Sequence, residues 1–215
     1  MLLDLSESLA CPRCGPPQGI IVLVERMEGR RVLDGRLDCP NCEARFVLRD
    51  GVVEFDVAPD SDLRTPPADP EDAVTVAALL GIQHGRGLIV VDSGLGQAAE
   101  QLSALCGGCE VVRLEPLGLP SDPDRSAERG AEGGRGKVTP LLGVPPGSIP
   151  LLSGKAVGVA VEGGDPDILA EAARVLVPGG RVAVIRPGSG AATVLESRPF
   201  ELLAADQRAM VARRI

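Results

Sequence analysis

Short apolar runs follow one another along the whole chain, but the segments between them change character near residue 70. Before that point, apolar runs alternate with short polar or glycine-containing turns, a pattern that predicts β-hairpins. After it, continuous apolar runs alternate with longer amphipathic stretches, a pattern that predicts strands and helices of a parallel sheet. The sequence therefore predicts a small all-β module followed by an α/β domain.

The all-β module contains two hairpin patterns. In the first, an apolar, β-branched run turns at residues 27–30, and in the second, two short apolar runs flank Arg49-Asp50-Gly51. The predicted strands cover residues 19–25, 31–37, 45–48 and 52–55.

Two Cys-x-x-Cys pairs bracket the first hairpin. They place four cysteines in the module, namely Cys11, Cys14, Cys39 and Cys42. Two intervening residues let one tight turn aim both sulfurs at a single point, and zinc takes four thiolates at tetrahedral corners. We therefore expect a structural Zn²⁺ ion with no open coordination position; four reduced cysteines without metal are the alternative.

The order of these motifs resembles a known family over residues 5–56. The stretches that carry the resemblance are Leu9-Ala10-Cys11-Pro12-Arg13-Cys14, Gly35-Arg36-Leu37-Asp38-Cys39-Pro40-Asn41-Cys42 and Asp50-Gly51-Val52-Val53. They resemble the zinc-ribbon activator proteins that partner tRNA and protein methyltransferases, and are similar to zinc modules preceding some bacterial ribosomal-RNA methyltransferases. The resemblance implies a docking or positioning module that contacts a protein partner.

A proline- and aspartate-rich stretch separates the two parts of the chain. It predicts a stiff surface connector over residues 58–70. We expect a zinc ribbon over 1–57, this linker, and an α/β domain over 71–215 that begins with a helix at 73–82. With three Phe and no Tyr or Trp, the core must be built almost entirely from aliphatic side chains.

The α/β domain contains a strand, a glycine-rich turn and a helix in succession. The strand at 87–91 leads into Asp92, Ser93, Gly94, Leu95 and Gly96. Glycines let a backbone approach a ligand closely, and a helix N-terminus offers unpaired N–H groups. A second strand ends in Glu115, where a carboxylate can accept hydrogen bonds from both ribose hydroxyls of a nucleoside. A tight strand–helix turn without a ligand is the alternative.

Two later segments sharpen this interpretation. The strand at 156–162 ends in Glu162, and the segment that begins at Glu171 resembles the E-x-x-R-V-L-x-P-G-G pattern of class I S-adenosylmethionine-dependent methyltransferases. Over residues 73–215 the resemblance implies a Rossmann-like, doubly wound, mostly parallel sheet with a final antiparallel hairpin, predicted at 200–205 and 210–214. It also implies S-adenosylmethionine as cofactor. The loop from Asp92 to Gly96 would receive its methionine part, Glu115 its ribose, and Glu162 would face the methyl group.

The chain departs from this pattern in several places. Ala98 stands where many members have a third glycine, and residues 138–144 contain no acid for the adenine amino group. Residues 118–136 are of low complexity where a helix is usual. The single histidine, His84, is predicted at the surface, and no catalytic base is identified.

Three functions remain open at this point. The first is methyl transfer from S-adenosylmethionine to an unidentified acceptor. The second is a catalytically inactive methyltransferase-like protein that serves as a binding or structural subunit, and the third is a nucleotide-dependent oxidoreductase. The pair Cys106 and Cys109 could be a redox pair or half of a metal site, but free structural thiols are favoured because no third ligand is visible.

Charge and hydropathy limit the partners. The formal net charge of −8 and the absence of a clear Lys/Arg cluster do not favour RNA as a substrate. No apolar run reaches the roughly 18 residues of a membrane span. We expect a cytoplasmic protein whose cysteines are metal ligands or thiols rather than disulfides.

Overall fold

The computed structural model describes residues 1–55, 70–82, 87–115 and 138–215. Residues 58–69 of the predicted linker, His84 and the low-complexity segment lie outside the described residues, whereas Pro70 begins a helix. The described strands are β1 (Ile21–Glu28), β2 (Arg31–Asp38), β3 (Arg45–Arg49), β4 (Val52–Glu54), β5 (Gly87–Val91), β6 (Cys109–Glu115), β7 (Val138–Leu142), β8 (Ala156–Glu162), β9 (Leu176–Ile185), β10 (Phe200–Ala205) and β11 (Ala209–Arg214). The described helices are α1 (Pro70–Leu80), α2 (Ala99–Leu105), α3 (Pro166–Val175) and α4 (Ala191–Glu196), with 3-10 turns at Leu3–Glu7 and Ser93–Ala98.

The α/β part is a doubly wound sheet. Its strands run in the order β7-β6-β5-β8-β9-β11-β10, and those from β7 to β9 are parallel. The strand β11 lies antiparallel to β9 and pairs with β10 in a hairpin. The predicted Rossmann-like fold with a final antiparallel hairpin is confirmed. The chain adds β6 and β7 on one side of β5 and then β8 and β9 on the other, so the strand order reverses between β5 and β8. Open α/β sheets bind ligands at such a switch point.

Helices cover both faces of this sheet. Because successive strand residues point to opposite faces, Ile89 packs with α1 and α2 on one side, while Val90 packs with α3 on the other. Cys106 and Cys109 are buried in the first of these two cores, and neither forms a disulfide bond in the structure. No described helix has both the length and the apolar character needed to cross a membrane.

The four-stranded ribbon continues the same sheet. Its strands pair antiparallel from β1 to β4, and β4 then pairs parallel with β7, Val53 opposite Leu141. The two rings Phe46 and Phe55 meet edge to face at 5.1 Å and share one hydrophobic core with Leu141. The sequence pattern did not reveal this pairing, since nothing local marks which edge a strand will join; the domain boundaries stay a prediction.

The helix before the Pro-Gly-Gly turn, predicted over residues 168–177, has the predicted length but lies two residues earlier in the chain. The sequence predicts a helix to Val177, but α3 ends at Val175 and β9 begins at Leu176, so Pro178 already lies within the strand. Leu176 is fully buried and pairs with Ala156, and this burial outweighs the local helical pattern.

Candidate functional site

The four predicted zinc ligands lie together at one end of the ribbon. All four sulfurs lie within 4.8 Å of one another. The Sγ atoms of Cys11 and Cys42 are 3.8 Å apart, as are those of Cys14 and Cys39. Zinc–sulfur bonds of about 2.3 Å give a tetrahedron with edges of about 3.8 Å. The sulfur cluster therefore fits one zinc ion with four thiolate ligands.

Each cysteine pair sits on the same kind of backbone turn. The N–H of Gly15 donates to the carbonyl of Cys11 at 2.9 Å, and the N–H of Glu43 donates to that of Cys39 at 3.0 Å. Both closing residues are left-handed, with φ of 70° at Gly15 and 57° at Glu43. Glycine adopts this conformation without strain, whereas the second turn forces it on a residue with a side chain.

The protein environment shifts the pKa values of the cysteine thiols in different directions. Burial raises the pKa of Cys11 to about 12. Burial also acts to raise the pKa of Cys39, but N–H donors of Cys42 and Asn41 lower it to about 7. The Asn41 side chain donates to the sulfur of Cys14 at 3.4 Å. These donors stabilise thiolate, the form that binds zinc.

At the switch point, the ends of β5 and β8 are tied by a carboxylate. The Oδ2 atom of Asp92 accepts a hydrogen bond from the N–H of Glu162 at 2.8 Å. Its Oδ1 atom is buried and makes no hydrogen bond of normal geometry within the described residues, although the backbone N–H groups of Leu95 and Gly94 act to lower the pKa of the carboxyl group. Burial raises the pKa of Asp92 to about 7. A buried carboxylate oxygen without a donor is costly, and a ligand cation or N–H group would satisfy it.

The predicted glycine turn is a 3-10 helix, Ser93–Ala98, followed by α2. Leu95 is fully buried, so only its backbone can face a ligand. Gly94 lies directly beneath the Glu162 side chain, because a Cβ built there would overlap the carboxylate and lie 2.8 Å from the Glu162 Cβ. Glu162, which is predicted to face the methyl group, therefore covers Gly94, which is predicted to receive the cofactor.

Arg186, at the end of β9, holds Glu162 in this position. Its Nε donates to Glu162 Oε1 at 2.7 Å, and its Nη1 donates to both oxygens of Asp72 at 2.9 and 3.0 Å. Arg186 has a φ of 50°, which a non-glycine residue rarely adopts. Sequence reasoning missed Arg186 and Asp72; a charged residue directly after a buried strand at the ligand-binding edge was the available signal.

A second arginine engages the predicted ribose acid. The Arg113 side chain is 7% exposed, forms an ion pair with Glu115 and donates to Glu100 at 2.9 Å. A Cβ at Gly96 would lie 3.3 Å from Arg113 Cδ, so this side chain packs on the second glycine of the loop. The structure thus brings the predicted residues to one edge of the sheet, with two of their carboxylates already paired. Their role in cofactor binding stays a prediction.

No protein-family model and no curated protein matches the sequence. Solved structures do match. An S-adenosylmethionine-dependent O-methyltransferase from Thermotoga maritima superimposes with a TM-score of 0.51 at 16% identity, over 71% of this chain and 68% of that one. A geranyl diphosphate methyltransferase in complex with S-adenosylmethionine gives 0.54 at 13% identity, over 68% and 85% of the two chains. The α/β part therefore has the fold of S-adenosylmethionine-dependent methyltransferases.

Proposed function

We propose that the chain is an S-adenosylmethionine-dependent methyltransferase whose donor site is the loop after β5. The observation that carries the proposal is Asp92, a buried carboxylate at the switch point of this fold with one oxygen that makes no hydrogen bond of normal geometry to any described residue. Such an oxygen suits the cationic ammonium group of an amino-acid ligand. The bound cofactor supplies a methyl group on a positively charged sulfur.

The charges at this edge of the sheet favour a cation. The guanidinium of Arg186 pairs with two carboxylates, those of Asp72 and Glu162, and a third carboxylate, that of Asp92, accepts from the backbone N–H of Glu162. Two positive groups on the ligand would therefore meet an excess of negative charge. Glu115, at the end of the neighbouring strand, is the group proposed for the ribose hydroxyls.

Cofactor binding requires Glu162 to turn away from Gly94. Its ion pair with Arg186 is partly exposed, with side-chain exposures of 26% and 45%. An ion pair of this kind contributes about 1 kcal/mol or less, so its rearrangement is a small barrier to binding. A change of rotamer moves the Glu162 carboxylate away from Gly94, whereas the Glu162 Cβ stays in place above it.

A specific observation favours a second function, that of a catalytically inactive methyltransferase-like subunit. Arg113 is buried against Gly96 and paired with Glu115, so the ribose acid is already engaged. Separating a buried ion pair leaves an uncompensated charge, which costs more than rearranging the Glu162 pair. In this alternative the ribbon and the closed loop serve binding to a partner.

Isothermal titration calorimetry of the full zinc-loaded chain with S-adenosylmethionine and S-adenosylhomocysteine separates the two functions. We expect micromolar binding that is abolished in Glu115→Ala and retained in Glu201→Ala, a control in an exposed ion pair on the terminal hairpin. Absence of binding at millimolar cofactor would refute the methyltransferase proposal and support the inactive subunit.

A further inference from the structure

The N-terminal segment of the ribbon pairs with a segment of the α/β part. Leu9 lies opposite Leu151 in an isolated antiparallel bridge. The N–H of Ala10 donates to the carbonyl of Pro150 at 2.9 Å, and the N–H of Leu152 donates to that of Ser8 at 2.8 Å. Leu9 and Leu151 are fully buried. The residue after Ala10 is the zinc ligand Cys11, so this seam begins at the metal site.

Two charged residues of α3 bind the other edge of the α/β segment, residues 149–152. Arg174 donates to the carbonyl of Leu151 at 2.6 Å and to that of Ile149 at 2.8 Å. Glu171 accepts from the N–H of Ile149 at 3.1 Å and pairs with Arg174 at 2.6 Å. Neighbouring residues of an extended segment direct their backbone groups to opposite sides. The backbone groups of residues 149 and 151 therefore face Arg174, while those of residues 150 and 152 face the ribbon.

These are the Glu and Arg of the E-x-x-R pattern, and their helix leads to the candidate donor site. Helix α3 connects β8 to β9, the strands that end at Glu162 and next to Arg186. A series of hydrogen bonds therefore runs from Ala10, the residue before a zinc ligand, to the helix between those strands. The seam between β4 and β7 and the shared core reinforce the contact.

We propose that Glu171 and Arg174 are positioning residues that couple the ribbon to the methyltransferase fold, so that zinc binding determines the stability of the strands at the donor site. The ribbon is then a built-in part of this fold rather than a separately folding module. The proposal depends on zinc binding by the four cysteines and needs no bound methyl donor, so it can fail or succeed independently of the proposed function.

Hydrogen exchange of the full chain, with zinc bound and with zinc removed by a chelator, tests the coupling. In the unaltered chain, zinc removal is expected to accelerate amide exchange in β8 and β9 by about tenfold or more, because a cooperative unit opens together. In Arg174→Ala, the same removal is expected to change exchange in β8 and β9 by only about twofold, since the coupling is non-additive.

The matched control is Arg213→Ala, which removes an exposed ion pair to Glu201 on the terminal hairpin and should leave the zinc response unchanged. Glu171→Gln, which keeps the side-chain shape, gives a smaller loss of coupling and serves if Arg174→Ala does not fold. Unaltered exchange in β8 and β9 after zinc removal would overturn the proposal. An equal zinc response in the unaltered chain, in Arg174→Ala and in Glu171→Gln would overturn the role of Glu171 and Arg174.

Discussion

The carboxylate of Asp92 accepts a hydrogen bond from the backbone N–H of Glu162 at 2.8 Å, which ties together the ends of the two central strands β5 and β8. This hydrogen bond uses only one carboxylate oxygen, and the other oxygen is buried with no hydrogen bond of normal geometry in the part of the chain that the structure describes. This arrangement is an unfavourable one for a charged group, so it makes the stability of the protein depend on pH and leaves the site ready for a cation.

The first prediction concerns that pH dependence. Burial raises the pKa of Asp92 from 3.8 to about 7 in the folded chain, so the folded state holds its proton more tightly than the unfolded state. The contribution to stability is therefore complete below pH 4 and is lost as pH rises through 7. Between pH 6 and 8 this loss is about 1 kcal/mol. In Asp92→Asn it should vanish, so the variant gains stability relative to the parent as pH rises.

Denaturant unfolding at half-unit pH intervals measures this difference. The parent and the variant share the cysteine cluster, in which Cys39 has a pKa of about 7, so the pH dependence of the cluster cancels in the difference between them. Glu196→Gln, an exposed residue at the end of α4, is the control and should parallel the parent at every pH. A parent and an Asp92→Asn variant with parallel pH profiles would contradict the assignment.

The second prediction concerns the covered glycine. Gly94→Ala places a methyl group where Glu162 now lies and breaks the ion pair to Arg186. We expect a loss of about 1 to 2 kcal/mol in the free energy of unfolding, typical of overpacking. The binding of S-adenosylmethionine should weaken about tenfold or more because the loop can no longer approach the ligand.

Gly107→Ala is the matched control for this substitution. A Cβ at Gly107 has no heavy atom within 4 Å, so its stability and binding should stay close to those of the parent. Calorimetry and thermal unfolding of both variants provide the comparison. If Gly94→Ala bound the cofactor as tightly as Gly107→Ala, the loop could not be the donor site.

The contrast between Cys11 and Arg186 shows how far sequence reasoning reaches. Cys-x-x-Cys spacing is a local property, so the zinc cluster could be predicted from the sequence alone. The apolar runs were likewise enough to predict the order of strands and helices. The partners of Arg186 lie 24 and 114 residues away. Nothing in a local pattern identifies such pairs, and the same holds for the joining of β4 to β7, which depends on the three-dimensional position of a free sheet edge.

The third prediction separates the two functions through Arg113. Arg113→Met keeps an unbranched side chain against Gly96 but releases Glu115 and Glu100. Since Glu115 is only 21% exposed, we expect a loss of about 1 to 3 kcal/mol in the free energy of unfolding. If the ion pair competes with the ribose, the variant should bind S-adenosylmethionine several-fold more tightly.

Titration calorimetry of Arg113→Met beside Arg36→Met makes this comparison. Arg36 lies in the ribbon strand β2 and pairs with Asp38 at its surface, so its loss should leave cofactor binding unaltered. Weaker binding in Arg113→Met than in Arg36→Met would show that Arg113 supports the ligand rather than competing with it.

The fourth prediction concerns zinc stoichiometry. Elemental analysis should find about one zinc per chain, because four thiolates fill its coordination shell. Cys42→Ser should lose most of the metal, since Cys42 is one of the four clustered ligands. Cys106→Ala removes a thiol outside the cluster and should retain the metal. Equal zinc content in the two variants would place the metal elsewhere.

The last prediction compares the two turns that hold the zinc ligands. Gly15 and Glu43 occupy equivalent positions, with φ of 70° and 57°. A left-handed conformation costs a residue with a Cβ about 1 to 2 kcal/mol, and part of the gain from glycine is lost to its greater freedom in the unfolded chain. Glu43→Gly should therefore stabilise the zinc-loaded chain by about 0.5 to 1 kcal/mol. Gly15→Ala should destabilise it by a similar amount, although a Cβ there meets no neighbour within 4 Å. Thermal unfolding of both variants with zinc bound measures these opposite shifts, and shifts of the same sign would show that backbone conformation is not what distinguishes the two turns.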